Sequence, residues 1–153
     1  MSEDIKILNS ETPGDPYVYN VQVWLNSTYG NDSRYNIINE NGLTGWSTIY
    51  ALTRALQIEL EIEQTADNFG PTTVAKFNQQ FPNGVLQQAD DDESESNIYA
   101  IIQGALLCKG YATGVNTPTL HFYNGTGNAI KALKEDAGCN DTTSTVTLNI
   151  MKA

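Results

Sequence analysis

The stretch VQVWLNSTY at positions 21–29 decides the fold, because its apolar residues recur four positions apart at Val21, Leu25 and Tyr29. This spacing places the three side chains on one face of a helix, and Trp24 is expected beside them in the core. Two more helical segments follow in the first half of the chain: a stripe of Ile49, Leu52, Leu56 and Leu60, and a segment that begins near Pro71 and carries Val74, Phe77 and Phe81.

The same order of elements recurs in the second half of the chain. A stripe at a shift of 77 positions from the first consists of Ile98, Ile102 and Leu106, and the same shift pairs Gln103 with Asn26. Farther along, a shift of 78 pairs positions 126, 129 and 130 with positions 48, 51 and 52, and a shift of 77 pairs segment 146–153 with segment 69–76.

This recurrence predicts an all-α chain of two tandem three-helix bundles. The predicted boundaries are an irregular N-terminal segment at 1–16, a first repeat at 17–88, an acidic connector at 89–96 and a second repeat at 97–153. Thr48 and Thr126, near the starts of the middle helices, are expected to accept hydrogen bonds from free helix-start N–H groups.

Composition excludes several classes of partner. The chain has 153 residues and a formal net charge of -10, so its mean field repels nucleic acid and anionic lipid. No apolar run approaches the ~20 residues that cross a bilayer, and residues 1–4 lack the basic start of a signal peptide. Neither a nucleic acid nor a membrane is therefore expected as a partner.

The residues that carry enzyme chemistry are sparse. His121 is the only histidine and is interpreted as a polar residue between a loop and a helix. The acidic run at 90–96 fails the template of a calcium loop, because Glu95 replaces its glycine and Ile101 its final glutamate. Cys108 and Cys139 are interpreted as two buried thiols, with a disulfide as the alternative. We therefore predict no catalytic residue, no metal site and no cofactor.

Short stretches in both halves resemble, in the same order, the pattern of the peptidoglycan-binding domain family. In the second half they are KGY, FYNGT, AIKAL and GC at 109–111, 122–126, 129–133 and 138–139; in the first half they are VQVWLN, GLTGWST, LQ and FGPTT at 21–26, 42–48, 56–57 and 69–73. The chain departs from that pattern where Tyr123 replaces a glycine, Leu133-Lys134 a Phe-Gln pair and Cys139 a leucine, and where Leu56-Gln57 lies one residue late relative to Thr48.

The resemblance implies a non-catalytic module that binds peptidoglycan and targets an attached cell-wall hydrolase to its substrate. It implies a catalytic domain C-terminal to this chain in a larger protein, and an action outside the cell or at the wall. The alternative is a degenerate repeat that mediates protein interaction or dimerisation without binding a glycan. Whether the ligand is a glycan strand or a stem peptide stays open.

Five residues near the starts of the two middle helices are candidates for contact with this ligand. Aromatic rings offer a stacking surface and a polar tip, and an amide offers both a donor and an acceptor to sugars or peptides. The candidate ligand-binding residues are Trp46, Tyr50, Tyr111, Tyr123 and Asn124.

Overall fold

The computed structural model describes residues 14–152 and contains six helices in this range. They are α1 (Pro16–Tyr29), α2 (Trp46–Glu59), α3 (Pro71–Gln80), α4 (Asn97–Cys108), α5 (Asn124–Asp136) and α6 (Leu148–Lys152). The only β-pairing among these residues is an isolated antiparallel bridge between Val85 and Val146. The predicted all-α class is confirmed. Positions 1–13 of the predicted irregular segment 1–16 lie outside the described residues. Ala153, at the end of the last predicted helix, also lies outside them.

Three of the helices begin at a side-chain cap or at a proline. Asp15 caps α1, because its Oδ1 accepts a hydrogen bond from the backbone N of Tyr17 at 2.7 Å. Ser96 caps α4 in the same way, through Ile98 N at 3.1 Å. Pro71 is the first residue of α3, where its missing N–H leaves no helical hydrogen bond unmade.

The two helix triplets share one apolar core. Helix α4 packs against both α1 and α2, α5 packs against α4, and α3 packs against α6. Gly104 allows the close approach of α4, because a Cβ at this position would lie 3.1 Å from Val21 Cγ1 and 3.4 Å from Leu52 Cδ2. The core draws on every helix, with buried members that include Leu25, Leu56, Phe77, Ile102, Ile130 and Ile150.

The spacing of the helices agrees with the predicted shifts at two of three places. The start of α5 is shifted by 78 from the start of α2, and that of α6 by 77 from that of α3, but the start of α4 is shifted by 81 from that of α1. Gln22 and Gln103 are each the seventh residue of their helix, so the predicted pairing of Asn26 with Gln103 is wrong. The error equals one helical turn, which returns to the same face of a helix and therefore leaves the apolar stripe unchanged.

The two equivalent glutamines hold the loops that precede the middle helices. Gln22 Nε2 donates to Thr48 Oγ1 at 2.9 Å, while its Oε1 accepts from Gly42 N at 2.7 Å. Gln103 Nε2 donates to Thr119 Oγ1 at 2.9 Å, and its Oε1 accepts from Thr119 N at 2.6 Å. The expected role of Thr48 as a helix cap is therefore wrong, since α2 has no side-chain cap and the Thr48 hydroxyl serves Gln22 instead.

A second pair of buried polar residues holds the loops before the third helices. Gln57 Nε2 donates to Asn68 O at 2.9 Å, and its Oε1 accepts from Ala66 N at 2.8 Å. Lys134, at the equivalent place in the second triplet, is also buried, and its Nζ donates to Thr143 O at 2.8 Å. Lysine thus replaces glutamine here and still satisfies backbone groups of the following loop.

Trp24 and the two cysteines differ from expectation in how far they are buried. Trp24 is half-buried at the edge of the core, where its ring meets Tyr29 edge-on at 5.7 Å. Cys108 is half-buried, whereas Cys139 is exposed, so the prediction of a buried thiol is wrong at Cys139. Cys139 lies just beyond the end of α5, after Gly138 has turned the chain with a φ of 73°. Both thiols are free.

Among residues 14–152, none of the helices combines the length and the apolar character that a membrane span requires.

Candidate functional site

Two of the five candidate residues form an exposed aromatic pair at the start of α2. Trp46 is the first residue of the helix and Tyr50 lies one turn later, so both side chains point from the same face. Their rings stack with centroids 5.9 Å apart and an interplanar angle of 26°. Trp46 is 73% exposed and Tyr50 is 37% exposed, so the pair presents ring surface to solvent.

A polar pocket of about 250 Å³ adjoins Tyr50. The loop before α2 contributes Asn36 and Asn39 to its lining, and the helix contributes Arg54 one turn after Tyr50. The Arg54 guanidinium is held in place, because its Nε donates to Asp67 Oδ1 at 2.8 Å and its Nη1 to Thr65 Oγ1 at 2.9 Å. We call the pocket and the aromatic pair together the α2 aromatic face.

The α2 aromatic face combines the groups that bind sugars and short peptides. Flat rings stack on the apolar face of a sugar ring, and amides exchange hydrogen bonds with hydroxyl or acetamido groups. A guanidinium is a donor for carboxylates, and that of Arg54 is already paired with Asp67, which fixes its position beside the rings. Within residues 14–152, no group of three or more histidine, cysteine, aspartate or glutamate side chains is placed to hold a metal ion.

Tyr111 lies elsewhere, in an open cleft of about 830 Å³ between the start of α1 and the loop after α4. Its hydroxyl donates to Asp136 Oδ2 at 2.7 Å, and this hydrogen bond raises the pKa of the phenol above its usual range. Asp15 and Tyr17 line the same cleft. Tyr111 is therefore separate from the α2 aromatic face.

Tyr123 and Asn124 lie at the start of α5 and hold the acidic connector. The Tyr123 ring stacks on His121 at 5.3 Å, its hydroxyl donates to the carbonyl of Asp92, and desolvation raises the pKa of its phenol. Asn124 Oδ1 accepts from Gln87 Nε2 at 3.0 Å. Tyr123 is therefore hydrogen-bonded to the connector, and Asn124 to a residue just before it.

The acidic connector itself is organised as a turn. Asp92 Oδ1 accepts from Ser94 N at 3.0 Å and from Ser94 Oγ at 2.7 Å, and these bonds lower the pKa of the Asp92 carboxyl. His121 Nε2 lies 3.7 Å from Glu95 Oε2, while His121 Nδ1 is buried without a hydrogen-bond partner among the described residues. His121 thus lies between a loop and a helix, as its position in the sequence predicts.

The structure therefore brings together two of the five candidates and places the other three at two further sites. The sequence interpretation missed Asn36, Asn39, Arg54 and Asp67, which complete the α2 aromatic face. Arg54 could have been found from its spacing, because it lies four residues after Tyr50 on the same helix face. The loop residues carried no such signal.

Comparison with known proteins gives a family match and two relatives. The family model described as FadG/YbfG, PGDB-like domain matches residues 11–89. The uncharacterized protein FadG of Bacillus subtilis (strain 168) is 48% identical over 139 residues, which are 91% of this chain and 23% of that protein. The uncharacterized protein YbfG of the same strain is 47% identical over 139 residues, or 91% of this chain and 18% of that protein.

The chain thus spans about a quarter or less of the length of these curated relatives. No solved structure matches it.

Proposed function

Because the chain belongs to the FadG/YbfG PGDB-like domain family, whose fold is peptidoglycan-binding-like, we propose that it is a non-catalytic module that binds peptidoglycan. The observation that carries the proposal is the exposed stack of Trp46 on Tyr50 beside a polar pocket. Large aromatic side chains contribute most to stability when they are buried. An exposed pair of them, rimmed by amides and a guanidinium, is typical of a surface that gains its burial from a ligand.

The module is proposed to work as one part of a longer protein. Its relatives extend well beyond the matched region, which supports a place in a longer chain. From the resemblance to peptidoglycan-binding domains we propose that it targets a catalytic domain located C-terminal to the module. The proposed place of action is outside the cell or at the wall, where the substrate is found. The two helix triplets are proposed to be two tandem copies of one repeat, and two binding copies would strengthen attachment by avidity.

The test is co-sedimentation of the folded protein with purified insoluble peptidoglycan at moderate salt. We expect the wild type to bind, and Trp46→Ala to lose most of the bound fraction because the stacking surface is gone. Tyr19→Ala is the matched control, since Tyr19 is a similarly accessible aromatic, 45% exposed, on α1. If the folded wild type does not bind above background, the proposal is wrong. If the two variants lose the same fraction of bound protein, Trp46 has no specific role in binding.

The second candidate function is protein interaction or dimerisation without glycan affinity. It is favoured by exposed apolar side chains, among them Ile37, Leu43 and Leu86. Sedimentation velocity at increasing protein concentration distinguishes the two functions. A stable dimer that Ile37→Ser converts to a monomer, together with no sedimentation on peptidoglycan, would establish this second function instead. Clearing of a wall suspension by the isolated chain would contradict both, because it requires catalysis.

A further inference from the structure

We propose that the cleft between α1 and the loop after α4 binds a peptide through a free ammonium group. Its lining includes Asp15, Tyr17, Tyr111, Thr113 and Asn116, and we call it the seam cleft. The inference rests on the proposed function, because it identifies the ligand as the stem peptide of peptidoglycan at its diamino acid. It concerns a surface distinct from the α2 aromatic face.

Both helix triplets contribute to the seam cleft. Asp15 and Tyr17 come from the start of α1, whereas the other wall comes from the loop between α4 and α5. A hydrogen bond from Asn20 Nδ2 to Asn116 O, 2.6 Å long, fixes this loop to α1. A second bond, from Thr44 Oγ1 to Cys108 O at 3.3 Å, ties the loop before α2 to the end of α4. The cleft therefore exists only where the two triplets meet.

The charge of the seam cleft favours a cation. Among the described residues that line it, none is a lysine or an arginine, and Asp15 supplies a carboxylate. One oxygen of that carboxylate caps α1 through Tyr17 N at 2.7 Å, which fixes the side chain at the edge of the cleft. The chain as a whole carries a formal charge of -10, so the wider field also attracts a cationic group.

The two tyrosines of the cleft add the second feature of an ammonium site. An ammonium group is attracted to the electron-rich face of an aromatic ring, and the attraction is strongest where water is partly excluded. The Tyr111 hydroxyl donates a hydrogen bond to Asp136, which increases the electron density of the ring. Tyr17, 48% exposed, presents its ring at the cleft without a buried structural role.

The combination favours a peptide over a sugar as the occupant. A sugar hydroxyl can donate a hydrogen bond to the Asp15 carboxylate, but only a diamino-acid side chain adds charge attraction to this carboxylate and a cation–π contact with the rings. The exposed Thr117 of the lining can exchange hydrogen bonds with a peptide backbone. The α2 aromatic face differs from the seam cleft, since the carboxylate in its lining, that of Asp67, is already ion-paired with Arg54 at 2.8 Å. The two surfaces therefore suit different parts of the same polymer.

The test is a calorimetric titration of the full chain with N-acetyl-L-alanyl-γ-D-glutamyl-L-lysine amide, whose side-chain ammonium is its only cation. The matched probe is the same peptide with that ammonium acetylated. We expect acetylation to weaken binding by at least roughly fivefold. Asp15→Asn should weaken binding of the first peptide about threefold or more while it keeps the helix cap, since asparagine caps as well as aspartate. Tyr17→Ala should weaken it by a similar factor, and Tyr19→Ala should not.

Each outcome bears on a different claim. If the wild-type protein sediments with peptidoglycan but does not bind the free tripeptide, the seam cleft is not a peptide site, and the proposed function stands. Tripeptide binding without sedimentation supports the cleft and overturns attachment to the wall. Equal affinity for the acetylated peptide, or equal losses in Tyr17→Ala and Tyr19→Ala, contradicts recognition of an ammonium group at this cleft.

Discussion

The ammonium of Lys134 lies 2.7 Å from the carboxylate of Asp141, and the lysine side chain is only 1% exposed although its partner is 39% exposed. Lys134 Nζ also donates to Thr143 O, so the pair closes the loop that leads from α5 toward α6. A buried ammonium is tolerated only where its donors are satisfied, which makes this pair sensitive to the loss of either member.

Replacing the buried lysine should destabilise the chain. We expect Lys134→Ala to lower the free energy of unfolding by about 2–3 kcal/mol, because loop acceptors lose a charged donor and the stem leaves a cavity. Lys134→Gln should recover part of the loss, since Gln57 holds the equivalent loop of the first triplet. Urea unfolding followed by circular dichroism measures both, with the exposed Lys131→Ala as control. Equal effects at positions 131 and 134 would contradict the assignment.

The same pair predicts a dependence of stability on pH. The hydrogen bond from Lys134, aided by those from Thr143, holds the pKa of the Asp141 carboxyl well below its usual range. A carboxyl whose pKa is lowered by folding contributes stability that is full above its unfolded value of about 3.9 and is lost as the pH falls further. The difference in unfolding free energy between wild type and Asp141→Asn should therefore shrink below pH 4. A difference that stays constant down to pH 2.5 would rule this out.

The glutamine that holds the loop before α2 gives a third prediction. Gln22→Leu fills a similar volume but leaves Gly42 N and Thr48 Oγ1 without their partner. We expect a loss of about 2–3 kcal/mol in the free energy of unfolding. The control is Gln79→Leu, because Gln79 is exposed on α3. If both substitutions prove neutral, the side-chain hydrogen bonds of Gln22 do not stabilise the fold.

The close approach of α4 to α1 and α2 gives a fourth prediction. Gly104→Leu would place a large side chain against Val21 and Leu52, and overpacking of this kind costs about 1–3 kcal/mol. The single shared core predicts that the whole chain responds, so thermal unfolding should stay one transition at a lower midpoint. Two separate transitions, of which only one is shifted, would mean that the triplets fold independently.

The thiols should differ in reactivity. Burial raises the pKa of Cys108 to about 11, so that roughly one thiol in a thousand is ionised at pH 8. Cys139 is exposed and reaches reagent freely. Titration with a chromogenic disulfide should therefore show one fast thiol per chain and a second only after denaturation. Cys139→Ser should abolish the fast phase, and two fast phases in the wild type would contradict the burial of Cys108.

The helices were predictable from sequence because their apolar residues repeat with the helical period and, for α3, because Pro71 marks the start. The residue-by-residue correspondence between α1 and α4 was not predictable, since a shift of one helical turn leaves the same apolar stripe. The buried amides resolve it, because only Gln22 and Gln103 occupy the same place and hold the same kind of loop. The packing of both triplets around one core was also not predictable, because periodicity reveals a buried face but not the helix that covers it.

The candidate site was predictable only in part. Trp46 and Tyr50 lie one helical turn apart, so their proximity follows from local geometry. Tyr123 and Asn124 instead hydrogen-bond to the connector and to a residue just before its start, and no local sequence pattern indicates these long-range bonds. Tyr17 was missed for the same reason, since the loop that forms the opposite wall of the seam cleft lies about a hundred positions farther along the chain.

The acidic connector has the composition of a flexible linker, yet it is fastened at both ends to the segment that leads into α5. Gln88 exchanges two hydrogen bonds with Phe122, each 2.7 Å long, and Ser96 N donates to Leu120 O at 3.0 Å. A glutamyl endopeptidase needs an extended, unbound stretch of backbone in its active site. Cleavage at Glu93 or Glu95 should therefore be slow until these bonds open, so susceptibility to the protease reports how firmly the connector is held against the segment before α5.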